Sequence, residues 1–169
     1  MARYLLFLFV SSSILLWVSC KKQAEPGSTD EMLYNMAIAR DNATWYKFDE
    51  AFLNKSAGSG HNYPFLRTWY NPTAAQHLDS TGKVAANANF DEGSLIVKEL
   101  YSQAQEMERF AILYKDSDHA DADDRGWVWG YVNGNGSVAT SAADKGAICT
   151  GCHLQADNID YMLMNKYFP

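Results

Sequence analysis

Ser94-Leu95-Ile96-Val97-Lys98-Glu99-Leu100-Tyr101-Ser102 reads as a β-strand. Successive side chains of a strand point to opposite sides, so Ser94, Ile96, Lys98 and Leu100 share one face while Leu95, Val97 and Glu99 share the other. Both faces are largely apolar, so alternation alone does not say which one is inward. Two runs of the same character follow, Met107 to Lys115 and Gly126 to Val132. An aromatic-rich one precedes them, Tyr63 to Tyr70, and Asn71-Pro72 stops it. The acidic stretch Asp116 to Asp124, with His119 inside it, reads as a solvated loop joining two strands rather than as a metal site. Gly134-Asn135-Gly136 reads as a turn.

Helical signals lie to either side of these strands. From Glu31 to Lys55 the apolar residues Met32, Met36, Ala39, Ala43, Tyr46, Ala51 and Phe52 recur at helical spacing. Asp41-Asn42 divides this pattern into two predicted helices, with Asn42 capping the second. Ser56 to Asn62, holding Gly58 and Gly60, is a predicted loop, and Thr73 to Leu78 one or two helical turns. Gly82 to Gly93 is a small-residue, polar connection. Ser141 to Leu154 starts with a capping residue and is expected to form one helix, after which the aromatic and methionine-rich tail from Asp157 closes over the core. The plan is α+β, an antiparallel sheet packed with helices, and there are no internal repeats.

The C-terminal helix carries Cys149-Thr150-Gly151-Cys152-His153. Two thiols at this spacing can each add across a vinyl group of one haem, and the adjacent histidine then reaches the iron. The spacing also suits a redox dithiol or half of a zinc site. A zinc site needs four ligands, but the only other cysteine is Cys20, and His61, His77 and His119 stand alone. A thioredoxin-like dithiol follows a strand in a βαβ unit, and no such alternation precedes this one. The expected cofactor is therefore one covalently attached haem c, with its iron on His153.

The 169-residue chain opens with Arg3 and an apolar run from Tyr4 to Val18, interrupted by Ser11 to Ser13 and ending Ser19-Cys20. This reads as an export signal over residues 1–19, with Leu16-Trp17-Val18-Ser19-Cys20 similar to a bacterial lipobox whose cysteine is lipidated. Trp17 stands where a small aliphatic residue is commoner. Residues 20–30 read as the lipidated Cys20 and a flexible tether, with Lys21 and Lys22 at the headgroups, and residues 31–169 as one domain. The expected location is the bacterial cell envelope, lipid-anchored and facing the periplasm or exterior, where haem c is attached. Net charge is −6, without the basic stripe that nucleic acid requires.

Taken together, these pieces resemble the cytochrome P-460 family, whose fold also includes the cytochrome c′-beta proteins. The matching segments are Phe65 to Pro72, Phe90 to Leu100, Tyr114-Lys115-Asp116, Gly126 to Trp129, Cys149 to His153 and Asp160-Tyr161-Met162. The resemblance implies a homodimer built on an antiparallel sheet. It also implies a haem c pocket between sheet and helix, and an iron held by His153 with no protein ligand on the distal side. It places Lys98 where one branch of the family joins a lysine to the porphyrin, and Arg67 where family members carry an arginine in or beside the pocket.

One departure from the family pattern bears on activity. Members that oxidise hydroxylamine carry a distal carboxylate on the strand before Lys115-Asp116, and here Ala111 falls at that position, with Phe110 and Leu113 nearby. Without that proton acceptor, turnover of hydroxylamine should slow by a factor of ~10² or more, unless Glu99 or Glu108 replaces it. The sequence thus points to an open haem site that binds or oxidises small nitrogen species such as hydroxylamine or nitric oxide, and a redox partner cytochrome would be needed for turnover. The alternatives are a nitric oxide scavenger without turnover and a periplasmic electron carrier. A carrier would need a sixth iron ligand, for which Met107, Met162, Met164 and His61 are available.

Overall fold

A computed structural model describes residues 22–103 and 106–169. The predicted signal peptide and Cys20 lie outside the described residues. The expected tether is docked over part of its length. Gln23 bridges Ser137, and the Val138 amide donates to the Lys22 carbonyl at 2.8 Å. Polar composition suggested a free linker, but backbone groups at the sheet's edge capture this segment whatever its side chains are.

Helix α1 spans Thr29–Ala39, capped by Ser28, whose hydroxyl accepts from the Glu31 amide at 3.2 Å. It is followed by short strands β1 (Thr44–Trp45) and β2 (Leu53–Asn54), then β3 (Phe65–Tyr70) and the one-turn helix α2 (Pro72–Ala75). Strands β4 (Leu95–Gln103), β5 (Glu106–Lys115), β6 (Trp127–Asn133) and β7 (Val138–Thr140) come next. One-turn helices α3 (Thr150–His153) and α4 (Met164–Tyr167) end the chain. The strands form one antiparallel sheet in the order β1-β3-β4-β5-β6-β7, with β2 also on β3. The architecture is the expected α+β one.

Two predicted helices are corrected. The second half of the 31–55 pattern is not helical: Arg40 and Asn42 adopt left-handed backbone (φ 51 for each), and Thr44 and Trp45 pair instead with Tyr70 and Trp69. A β-branched residue and an indole favour that half-buried edge over a helix whose packing face would be weak. The predicted helix 141–154 is also broken. Ser141 caps a single tight turn, Ala142–Asp144, and left-handed Lys145 and Gly146 end it before the motif begins.

The sheet is buried on both sides, and each side has its own core. On one, α1 lays Leu33 and Ala37 against Val97, Phe110, Ile112, Val128 and Val132. Gly130 permits this close approach, since a Cβ there would lie 2.8 Å from Leu33 Cδ1. Asp30 fastens the helix by accepting from the Ser141 hydroxyl at 2.7 Å and the Ala142 amide at 2.8 Å. On the other side Leu66, Tyr70, Ile96, Leu100, Leu113, Trp127 and Trp129 meet the C-terminal tail through Tyr161, Met162 and Met164. The register decides which residues share this face. Thr68 pairs with Lys98, Lys98 with Ala111 and Ala111 with Tyr131, so all four form one row across the sheet.

Candidate functional site

That row forms one wall of a pocket. Thr68, Ile96, Lys98, Ala111, Leu113, Trp129 and Tyr131 line it from the sheet, Cys149, Cys152 and His153 from the α3 turn, and Met162 to Met164 from the tail. Ser59, Gly60 and His61 contribute from the loop after β2. The lining is mostly apolar, and among the described residues lining it there is no aspartate or glutamate.

The C-x-x-C-H turn is held from both ends. Gly146, at φ +68, lets the chain pass over Trp129, because a Cβ there would sit 2.6 Å from the indole. Trp129 in turn meets His153 edge to face at 5.1 Å between ring centres, and its Nε1 donates to Asp123 at 2.9 Å. Asp123 also accepts from the Arg125 and Trp127 amides at 2.9 and 3.0 Å, so this part of the acidic loop braces β6. Among the described residues no cluster of His, Cys, Asp or Glu could hold a metal ion by itself.

His153 Nδ1 lies 2.7 Å from the Tyr161 carbonyl. A metal-bound histidine is oriented in this way, with one nitrogen on a backbone oxygen and the other free to ligate. Burial pushes the imidazole down to about 4; the Tyr161 carbonyl opposes that shift and Lys98 adds to it, so the ring is neutral and competent as a ligand at pH 7. Cys149 and Cys152 are free thiols, half-buried and exposed respectively. Burial, and then Cys152, pushes the Cys149 thiol up.

Lys98 enters the pocket from β4 and donates no hydrogen bond among the described residues. Burial pushes its amine down to about 8, with Cys152 opposing. Far more of it is therefore neutral near pH 7 than of an exposed lysine. The alternation predicted its strand-mates, and the register now assigns their face. Ala111 stands directly opposite Lys98 in the pocket wall, while Phe110 points to the α1 side.

Arg67 is corrected. It pairs with Glu99 in the register and belongs to the opposite face of the sheet, where it donates to Glu99 at 2.8 Å and to the Tyr101 hydroxyl. Its guanidinium packs on Trp45, Phe52 and Tyr101, 4.7 to 5.2 Å from their ring centres. The same register removes Glu99 as a substitute proton acceptor, and Glu108 is exposed and accepts from Ser102. The arginine on the pocket side is Arg109, stacked 4.6 Å above Tyr131 and without a carboxylate partner among the described residues.

Sequence alone offered His61 only as one of four available iron ligands and did not name Arg109, for a common reason. Each is one polar residue in a loop or strand whose neighbours give no signal, and only the tertiary structure brings His61 into the pocket lining and Arg109 onto the lining residue Tyr131. His61 sits with its ring centre 6.5 Å from that of His153, and its Nδ1 lies 3.4 Å from the Tyr131 hydroxyl. Burial, then Lys98 and His153, pushes its imidazole down to about 2, which leaves it neutral.

These residues fit a haem. The walls are apolar, two thiols and a pre-oriented imidazole open onto the same space, and Arg109, stacked on the lining residue Tyr131 and without a carboxylate partner among the described residues, suits a propionate. Such a pocket between sheet and C-x-x-C-H turn defines the class of haem proteins. A family model, Cytochrome P460, matches residues 44–164, and the chain belongs to the cytochrome P460 family of haem proteins, which act on small nitrogen species such as hydroxylamine. No curated protein matches the chain.

Proposed function

We propose that the chain carries one haem c, joined through Cys149 and Cys152 and ligated by His153 Nε2, and that it binds nitric oxide on the opposite side of the iron. The haem supplies a reducible iron able to take a small ligand. The protein's own part is to hold His153 through Tyr161, to exclude water with Ile96, Leu113 and Met162, and to neutralise a propionate with Arg109. The observation that carries this reading is the pocket lining, which holds no carboxylate among the described residues. Proton removal from hydroxylamine has no carboxylate acceptor there, whereas nitric oxide needs none. Nitric oxide titration of the reduced protein, followed by absorption, should change the spectrum stoichiometrically. Rapid hydroxylamine-dependent reduction of an electron acceptor would instead favour turnover.

A second reading, oxidation of hydroxylamine or nitric oxide, draws support from Lys98. Its amine, lowered by burial, lines the same pocket and would be a nucleophile toward an oxidised porphyrin; such a bond needs an external two-electron oxidant and would alter the ring's reactivity. Intact mass of the holoprotein and of Lys98→Ala, with their reduced spectra, tests that bond. A redox partner cytochrome would then accept the electrons.

The N-terminal pattern supports export and a lipid on Cys20, placing the domain at the bacterial envelope. Membrane fractionation of the wild type against Cys20→Ala tests this. The homodimer suggested by the family resemblance is tested by sedimentation.

A further inference from the structure

We infer that Asp160 is a positioning residue for the iron's ligand, acting through the Tyr161 carbonyl that holds His153. This rests on the reading that His153 ligates the haem iron. Residues Ile159, Asp160, Tyr161 and Met162 form a tight turn with two central residues. The Ile159 amide donates to the Met162 carbonyl at 2.9 Å, and the Met162 amide to the Ile159 carbonyl at 2.8 Å. Both central residues have positive φ, 45 for Asp160 and 71 for Tyr161. Turns of this kind are usually built from Asn-Gly or Asp-Gly, because positive φ crowds a Cβ. Asp160 suits the first position, but a tyrosine at the second is an outlier. Such backbone persists only where its surroundings over-determine it, and it collects at sites that use the geometry.

The surroundings here are specific. One carboxylate oxygen of Asp160 accepts from the Trp127 indole at 3.0 Å. The other accepts from the Phe90 amide at 3.0 Å and lies 4.0 Å from the Lys115 ammonium. The side chain is only 9 % exposed, so water competes weakly for these bonds. The Tyr161 amide donates to Asn158 Oδ1 at 3.1 Å. The Tyr161 ring meets Trp129 edge to face at 5.1 Å between centres, and the Arg125 guanidinium lies 4.8 Å from its centre. Asp160 thus ties the turn to β6 and to the segment before β4. Tyr161 fills the space beside the indole that also meets His153.

These contacts together fix the direction of one carbonyl. It is the oxygen 2.7 Å from His153 Nδ1, and since a carbonyl only accepts, Nδ1 carries the proton. An imidazole that donates from one nitrogen is more basic at the other. The turn therefore strengthens the bond from Nε2 to iron and favours the ferric state over the ferrous one. Relaxing it should move the carbonyl away, weaken that bond and raise the reduction potential. Neither Asp160 nor Tyr161 lines the pocket, so the effect reaches the iron through His153.

Resonance Raman of the dithionite-reduced holoprotein reads the iron–histidine stretch. Asp160→Ala should lower its frequency. Redox titration should show about a tenfold loss of ferric preference, which is about 59 mV upward for a one-electron couple. Asp160→Asn tolerates left-handed backbone and keeps one acceptor, so it should shift both readings the same way by less. Asp30→Ala loosens α1 on the far side of the sheet, and should lower stability while leaving both readings unmoved. A stretch unmoved in Asp160→Ala overturns the inference. So does an equal shift in Asp30→Ala, which would make the effect general loosening. Should Asp160→Ala not fold, Asp160→Asn decides, a lowered stretch supporting the inference and an unmoved one overturning it. A reduced wild type without an iron–histidine stretch removes the reading and the inference together. A stretch present in the wild type and indifferent to Asp160 removes the inference alone.

Discussion

Lys98 and Glu99 are neighbours on β4, both ionisable, and they face opposite sides of one sheet. Glu99, fully buried, receives Arg40, Arg67 at 2.8 Å, the Trp69 indole at 3.2 Å and the Tyr101 hydroxyl. Lys98 faces Thr68 and Ala111 and donates to nothing among the described residues. A buried charge surrounded by partners belongs to the architecture, because each partner offsets its lost hydration. A half-buried amine without a partner among the described residues is a standing cost, and such costs persist where a site uses them. The α1 side of the sheet therefore stabilises, and the pocket side is kept for chemistry.

The largest effect that would sharpen this contrast comes from Glu99→Ala. Removing the carboxylate leaves two guanidinium groups beside a buried hole and should cost about 3–5 kcal/mol in denaturant unfolding, with the haem spectrum of the surviving folded protein unchanged. A spectrum altered at full stability would break the division between faces.

Next in size is Ala111→Glu, which puts a proton acceptor into the pocket wall opposite Lys98. Hydroxylamine-dependent reduction of an acceptor dye should rise by ~10² in steady-state assays. No gain would mean that the missing carboxylate does not limit the reaction.

Lys98→Met should do the opposite of Glu99→Ala and stabilise the fold, by on the order of 1 kcal/mol at pH 7, in thermal or denaturant unfolding. The sign follows from the lowered amine. Its folded value is about 8 and its unfolded one near the ordinary 10.5, so the folded state binds fewer protons between these limits. Stability of the wild type therefore rises with pH across that window. The destabilisation is fully present below about 8 and relieved above 10.5, and Lys98→Met should flatten that part of the profile. An unchanged slope would mean that Lys98 finds a partner.

The smallest effect expected is that of Arg67→Lys on ligand binding, which should be none. The planar guanidinium's stacking on Trp45, Phe52 and Tyr101 is lost, so stability falls, while nitric oxide affinity stays the same. A change in affinity would return Arg67 to the pocket.

Much of this was legible in the sequence, for identifiable reasons. The Cys149 to His153 spacing is a local chemical signature, and the strands around Lys98, Leu113 and Trp129 show in their apolar runs. The face of Lys98 was not legible, because the residues on both sides of β4 are apolar. Only the pairing of Thr68 with Lys98 and the seat of α1 on Val97 decide it. Arg67 was misplaced by the same ambiguity, one residue of alternation being enough to move it across the sheet. Strands β1 and β2, two residues each, carry no periodicity to read. The single helix expected over 141–154 failed at Lys145 and Gly146, where a break brings the motif over Trp129.

The central claim is that the pocket side of the sheet holds an iron on His153 that takes up a small nitrogen ligand. Its most direct test is the absorption spectrum of the dithionite-reduced holoprotein, recorded before and after nitric oxide is added. The account predicts a haem spectrum that nitric oxide changes at one equivalent, and loss of that response in His153→Ala. A reduced spectrum indifferent to nitric oxide, or an undiminished response in His153→Ala, would contradict it.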